Sequence, residues 1–188
     1  LGLPHRSYHV NVRFGPRRGE YGNAILSRAP IVAHSNFDLT IGARKPRSVL
    51  HAELRLDAGG RSRTLHAFNL HLGLGERERR RQLVQFLAAH PFSHMRRSTP
   101  VVVAGDFNDW RGLAHAQLEQ GAGLREVFMQ AHGRSARTFP AQRPVLRLDR
   151  IYVRNAEGHA PMVLPRQPWV KLSDHAPLAA EIMLWAHC

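Results

Sequence analysis

The run Val101-Val102-Val103-Ala104-Gly105-Asp106-Phe107-Asn108-Asp109 restricts the possible folds of this chain more than any other stretch. Four consecutive small or β-branched apolar residues suit a buried strand, and Gly105 then releases the backbone into a turn carrying carboxylate, amide and carboxylate. In extended backbone Asp106 and Asn108 point to one side. The end of a central strand would thus present the oxygen donors that a hard divalent cation and a phosphate substrate require. Asp109 has a second use open to it, as the cap of a short helix over Trp110–Gln120.

The rest of the chain supplies elements that can surround such a strand. Extended segments are predicted at His9–Phe14, Tyr21–Ser27, Ile31–Leu39, Ser48–Leu56, Thr64–Leu72, Leu146–Val153 and Ala179–Trp185, several of them alternating polar and apolar residues. Gly15-Pro16-Arg17-Arg18-Gly19 and Asp57-Ala58-Gly59-Gly60 read as connections, and the latter folds Thr64–Leu72 back on Ser48–Leu56 as an antiparallel pair. The clearest helix is Glu76–His90, with Leu83, Phe86, Leu87 and His90 at helical spacing and Pro91 as its stop. A second helix is expected near Leu113–Gln120, and Ala131–Val145 reads as a Pro/Arg/Ser-rich loop. One strand–helix–strand unit among hairpins argues for an α+β fold of sheets packed face to face with helices outside. No repeat or linker divides the 188 residues, which are 43% hydrophobic and long enough for one core.

The formal charge is +13, carried by 25 arginines and only Lys45 and Lys171. Residues 1–100 account for +11 of it, so the carboxylates are relatively concentrated in the second half. Such an excess of guanidinium groups favours a polyanionic partner, whether nucleic acid, a phosphorylated metabolite or, peripherally, an acidic lipid surface. The lone Cys188 allows no internal disulfide or thiolate metal site, and cytoplasm is the compartment expected. No run of about 18 apolar residues offers a transmembrane helix.

Four polar clusters each stand at the end of an apolar strand: Asn69 with His71, Asp106 with Asn108, Asp149, and Asp174 with His175. Singly each has an ordinary explanation; Asp149, for example, could pair with Arg147 or Arg150. Together they describe a site built from several strand ends on a rigid scaffold. Carboxylates and amides around a hard cation, with histidines beside them, suit hydrolysis of a phosphate ester. A serine triad using Ser173 and His175 would be the other hydrolytic option, but no Gly-x-Ser-x-Gly elbow occurs. A glycine-rich nucleotide cradle is equally lacking, since Gly73-Leu74-Gly75 alone does not make one.

The motifs Asn69-Leu70-His71-Leu72, Gly105-Asp106-Phe107-Asn108, Leu148-Asp149-Arg150-Ile151 and Ser173-Asp174-His175-Ala176-Pro177 stand in the order found in the endonuclease/exonuclease/phosphatase superfamily. The chain resembles that group from about Tyr21 to Trp185, Gly22–Arg28 included. The resemblance implies a four-layer sandwich of two mostly antiparallel sheets flanked by helices, a Mg²⁺ or Mn²⁺ cofactor, and hydrolysis of phosphodiesters or phosphomonoesters. DNA is one substrate it admits; lipid headgroups and small phosphorylated molecules are others.

Carried over by position, His175 resembles a general base or phosphate-contacting histidine oriented by Asp149. Asp174 resembles a metal ligand, and Asp106 the aspartate that orients or deprotonates the attacking water. Asn108 resembles an amide on phosphate or metal, and His71 a general acid or phosphate ligand. Arg47 and Asn69 resemble residues that support bound phosphate. The departure is at the front: the family carries an asparagine strand and then a Gln-Glu pair whose glutamate binds magnesium, and no such pair precedes Tyr21. Asn11 and Glu20 are the stand-ins to consider. The resemblance otherwise implies that residues 1–188 form one domain of this type, N-terminally incomplete and poorly matched over 1–20, and that the chain is an impaired hydrolase or a phosphate-binding module if that ligand is essential.

Overall fold

The computed structural model describes residues 2–15, 19–58 and 60–185; Cys188 and parts of the two connections expected at 15–19 and 57–60 lie outside them. A six-stranded sheet forms the centre. Its members are β3 (Ile31–Asp38), β4 (Ser48–Ala58), β5 (Arg61–His71), β6 (Val101–Asp106), β7 (Arg125–Glu126) and β8 (Asp149–Arg154), in the order β3-β4-β5-β6-β8-β7. Only β5 and β6 run parallel, because α1 (Glu76–Ala88) carries the chain back between them.

Alternation along the strands divides the core in two. Phe68, Leu70, Val101, Val103 and Tyr152 face α1 and α2 (Leu113–Ala122), where Leu83, Phe86 and Leu118 cover them. Val102, Ile151 and Val153 project from the opposite face. There they meet Ala180, Ile182 and Leu184 of β10 (Leu178–Leu184), which pairs antiparallel with β9 (Ala156–Val163). A second hairpin, β1 (His5–Arg13) with β2 (Glu20–Ser27), packs against β3, β4 and β5. The architecture is therefore an α+β sandwich in which the layer opposite the helices consists of two separate two-stranded sheets.

Several boundaries differ from the sequence expectation. The first helix ends at Ala88 rather than His90, and its early polar residues are not all solvated: Glu78, Arg79 and Gln82 are buried. Gln82 accepts from Gly73 N and donates to Leu39 O, while Arg79 donates to the Leu74 carbonyl at 2.5 Å, so helix and post-β5 loop are locked together. The segment after Gly123 is only briefly extended before α3 (Val127–His132), whose N-terminal amides at Phe128 and Met129 are accepted by Glu126. Strand β9 and the short α4 (Arg166–Trp169) are additional to the expected elements. Asp109 takes the capping option, accepting from Leu113 N and Ala114 N at 3.1 and 2.8 Å.

Candidate active site

Strand register assembles the site. His71 is paired with Asp106 across β5 and β6, and Asp106 with Asp149 across β6 and β8, so three of the four clusters meet in one row. Asn69, His71, Asp106 and Asp149 alternate with the helix-facing core residues and so share the face opposite α1 and α2. Gly105 is required beside this row: at φ 145° its Cβ position would lie 2.0 Å from Leu70 O, so only glycine allows β5 and β6 to approach as they do.

His175 arrives from the loop before β10. Backbone bonds grip that loop on both sides of the histidine, Ala141 N donating to Asp174 O at 2.6 Å and Ala176 N to Thr138 O at 2.7 Å. The Thr138 hydroxyl meanwhile accepts from Leu148 N and Asp149 N, tying the 134–148 loop to the start of β8. His175 Nδ1 is thereby held 2.7 Å from Asp149 Oδ2, and the Phe139 ring lies 5.0 Å from the imidazole. Arg150 does not compete for Asp149; it donates to the carbonyls of Asp149 and Asp109. Asp174 is exposed on the turn. Trp110 is covered by the Arg79 guanidinium at 4.8 Å, and Trp169 lies in α4.

The two histidines occupy opposite electrostatic environments. His71 Nε2 is 3.3 Å from Asp106 Oδ2, but burial, then Arg47 and Lys45, press its pKa to about 4. Asp106 is pushed above the usual carboxylate range by burial and then by Asp149. His175 is raised, chiefly by its hydrogen bond to Asp149 acting against burial. One imidazole is thus neutral where the other favours the cation. Asn108, at φ 50°, donates its backbone N–H to Asp106 Oδ1 and its amide to Leu72 O, which leaves the amide oxygen for another partner.

Arg47 completes the arrangement. Its residue is 4% exposed, and Nε and Nη1 are buried without hydrogen-bond partners. Its charge acts on both His71 and Asp106. A buried guanidinium with two unpartnered nitrogens near His71 and Asp106 has donors free for an acceptor. At the next residue along, Asn23 donates to Ser48 O, and the Ser48 hydroxyl donates to Asn11 Oδ1 at 2.5 Å. Asn11 therefore reaches the edge of the site, whereas Glu20 is exposed and pairs with Arg13 at 3.3 Å.

A divalent cation fits this donor set in a limited way. Asp106 and Asp149 stand side by side with Asp106 destabilised as an anion, a condition that a cation relieves. Together with the Asn108 amide oxygen they suit magnesium, which uses one or two carboxylates and keeps several waters. Among the described residues, the group of three His, Cys, Asp or Glu with ligand atoms all within 4.8 Å of one another lies elsewhere, at His51, Glu53 and His66.

The sequence model described as the Endonuclease/Exonuclease/phosphatase family matches residues 1–175, including the stretch 1–20 that was expected to match poorly. The chain belongs to the endonuclease/exonuclease/phosphatase family. It is 48% identical over 166 residues to the Escherichia coli K12 protein named "Uncharacterized protein YbhP", covering 88% of this chain and 64% of that one. It therefore spans somewhat under two thirds of the length of that curated relative. A "UPF0294 protein" of Vibrio cholerae is 29% identical over 159 residues, covering 82% of this chain and 52% of that protein. Solved structures of the same fold include the mannosyl-6-phosphatase Bt3783 of Bacteroides thetaiotaomicron, with TM-score 0.73 and 20% identity over 97% of this chain and 78% of that one. D. rerio TDP2 complexed with single-strand DNA product has TM-score 0.68 and 18% identity over 94% of this chain and 76% of that one. Members of the family generally use divalent metals. Among the described residues, no helix is long and apolar enough to cross a membrane.

Proposed function

We propose that this family member is a divalent-metal-dependent phosphodiesterase, using Mg²⁺ or Mn²⁺, with DNA or another polyanionic phosphodiester as substrate and residues 1–188 acting as a single catalytic domain. The observation that carries the reading is the row His71, Asp106, Asp149, with His175 on Asp149 and the unpartnered Arg47 guanidinium beside it. Arg47 and the His175 cation would receive non-bridging phosphate oxygens, with Asn69 and Asn108 as neutral partners. Asp106, a stronger base than an ordinary carboxylate, would orient the attacking water and take its proton, with neutral His71 next to it as the relay or the phosphate contact. Asp106, Asn108 and Asp149, with Asp174 at the rim, would hold the cation, which when bound would neutralise charge on the phosphoryl oxygens and leaving alkoxide.

The preference for a polyanion over a small monoester rests on a groove of about 690 Å³ lined by Arg134, Arg137 and Arg147 with Phe128, Met162 and Val163. Burial and then Arg137, Arg134 and Arg150 depress the Arg147 guanidinium, so the groove gathers positive charge that a second phosphate would relieve. Metal-stripped protein, assayed with added Mg²⁺ or Mn²⁺ on plasmid DNA, abasic duplex, an aryl phosphodiester, an aryl phosphomonoester and a phosphoinositide, tests the proposal. Cleavage of a diester, lost in Asp106→Asn and His175→Ala while DNA affinity persists, is expected. Salt-sensitive binding without turnover would identify a phosphate-binding module, and turnover of the monoester alone would overturn the diester assignment.

A further inference from the structure

On the other face of the central sheet, and at the other end of its strands, the fold gathers a second set of ligand groups. His51 and Glu53 are two residues apart on β4 and so project to the same side, and His66 on β5 is the direct register partner of Glu53. All three belong to the helix-facing side, where the His51 ring stacks on Phe68 with centroids 4.5 Å apart. Five residues separate His66 from His71 along β5, roughly 17 Å of extended strand. This cluster shares no residue with the row at Asp106.

From this geometry we infer that His51, Glu53 and His66 form a binding site for a borderline divalent transition cation, zinc being the representative. One ligand atom from each residue lies within 4.8 Å of the others. His51 Nε2 faces His66 Nδ1 at 3.0 Å, and two facing imidazole nitrogens can share only one proton. Two nitrogens bound to a tetrahedral zinc stand about 3.3 Å apart, so a cation could replace that proton after a small opening of the pair. Ser35, the register partner of His51 on β3, places its hydroxyl 3.2 Å from His51 Nδ1. When Nδ1–H donates to that hydroxyl oxygen, the Nε2 lone pair is directed at the cluster, the arrangement that outer partners impose on metal-bound histidines.

The donor set is two imidazoles and one carboxylate, which suits zinc, cobalt or nickel and not the oxygen-preferring magnesium. A fourth position is open to water or to His90, which follows α1 and lies near enough for its charge to act on His51. His51 is 2% exposed, whereas Glu53 and His66 are half-buried, so the cation would enter from the Glu53 side and fasten β4 to β5.

The test uses untagged, chelator-treated protein and Zn²⁺ and Co²⁺ as the probes, read by equilibrium binding and by the visible absorption of bound cobalt. The wild-type chain should take up one tightly held equivalent, with an intense tetrahedral cobalt spectrum and a raised Tm on zinc addition. His66→Ala should abolish the spectrum and the Tm rise, and Glu53→Gln should weaken zinc at least tenfold. Asp106→Asn should leave all three readouts unchanged, which separates this site from the proposed phosphodiesterase centre. Because His51 is deeply buried, the test rests on the half-buried positions 53 and 66. Wild-type protein that takes up no zinc at micromolar concentration, or His66→Ala that retains the cobalt spectrum, would overturn the assignment.

Discussion

Replacing Asp149 by asparagine asks whether the carboxylate holds His175 as a cation. The 2.7 Å contact joins side chains that are only 24% and 21% exposed, so solvent screens it little. A hydrogen bond to a charged group contributes about 1.5–3 kcal/mol and a neutral one about 0.5–1.5 kcal/mol. His175 has a raised folded pKa, owed first to this bond. Stability from a raised group is fully present below its unfolded pKa, near 6.5, and is lost as pH rises through the folded value. Asp149→Asn should therefore cost about 1.5–3 kcal/mol at a pH of about 5.5 and roughly 1 kcal/mol or less near pH 9.

Asp106 acts in the same direction. Its carboxyl is raised by burial and then by Asp149, so neutralising position 149 relieves an ionised Asp106 at neutral and alkaline pH and offsets part of the loss. Urea unfolding of both proteins across that range, with stability from the midpoint and slope, measures the difference. A stability difference that stays flat or grows with pH would refute the reasoning.

Arg47→Met removes a buried charge that has no partner at Nε and Nη1, so Tm should hold or rise while kcat/KM on an aryl phosphodiester falls about 100-fold or more; activity within threefold of wild type would exclude Arg47 from the phosphate site. Gly105→Ala drives a Cβ to 2.0 Å from Leu70 O at φ 145°, and the backbone of β5 must yield. A loss of about 3 kcal/mol or more is expected in denaturant unfolding, and a loss under about 1 kcal/mol would show that the strands have slack there.

Most of the central sheet was legible because its strands carry period-two alternation, and the polar groups at their ends stood out against apolar runs. The hidden elements lacked that contrast. Strand β9, Ala-Glu-Gly-His-Ala-Pro-Met-Val, contains the glycine and proline that ordinarily mark a connection. It is extended because β10 pairs with it through an irregular register and because Gly158 lets it approach Val127, whose Cγ1 would lie 2.5 Å from an added Cβ. Likewise no element is predicted at Leu124–Phe128, where Glu126 accepts two amides and starts a helix. In the site, strand-end motifs predicted His71, Asp106, Asp149 and His175. The positioning groups Thr138 and Ser48 act through hydrogen bonds between residues distant in sequence, and no local pattern announces them, whereas Asn11 and the segment holding Asn23 stood out in the sequence without their bonding to Ser48 being legible.

The division of partners within the row bears on where the anionic oxygens of the proposed substrate would be received. Each aspartate already has its own histidine, Asp106 against His71 and Asp149 against His175, and Asp106 also accepts from Asn108 N. The Asn108 amide hydrogen is committed to Leu72 O. Arg47, at this end of the sheet, has two nitrogens buried without acceptors. A buried guanidinium without acceptors is costly, and a bound anion would remove that cost. In the proposed reading a tetrahedral phosphoryl group would accept from the planar fork of Arg47 on one side while another oxygen faces the His175 imidazole. The same register that pairs His71, Asp106 and Asp149 places their side chains together on the face opposite α1 and α2.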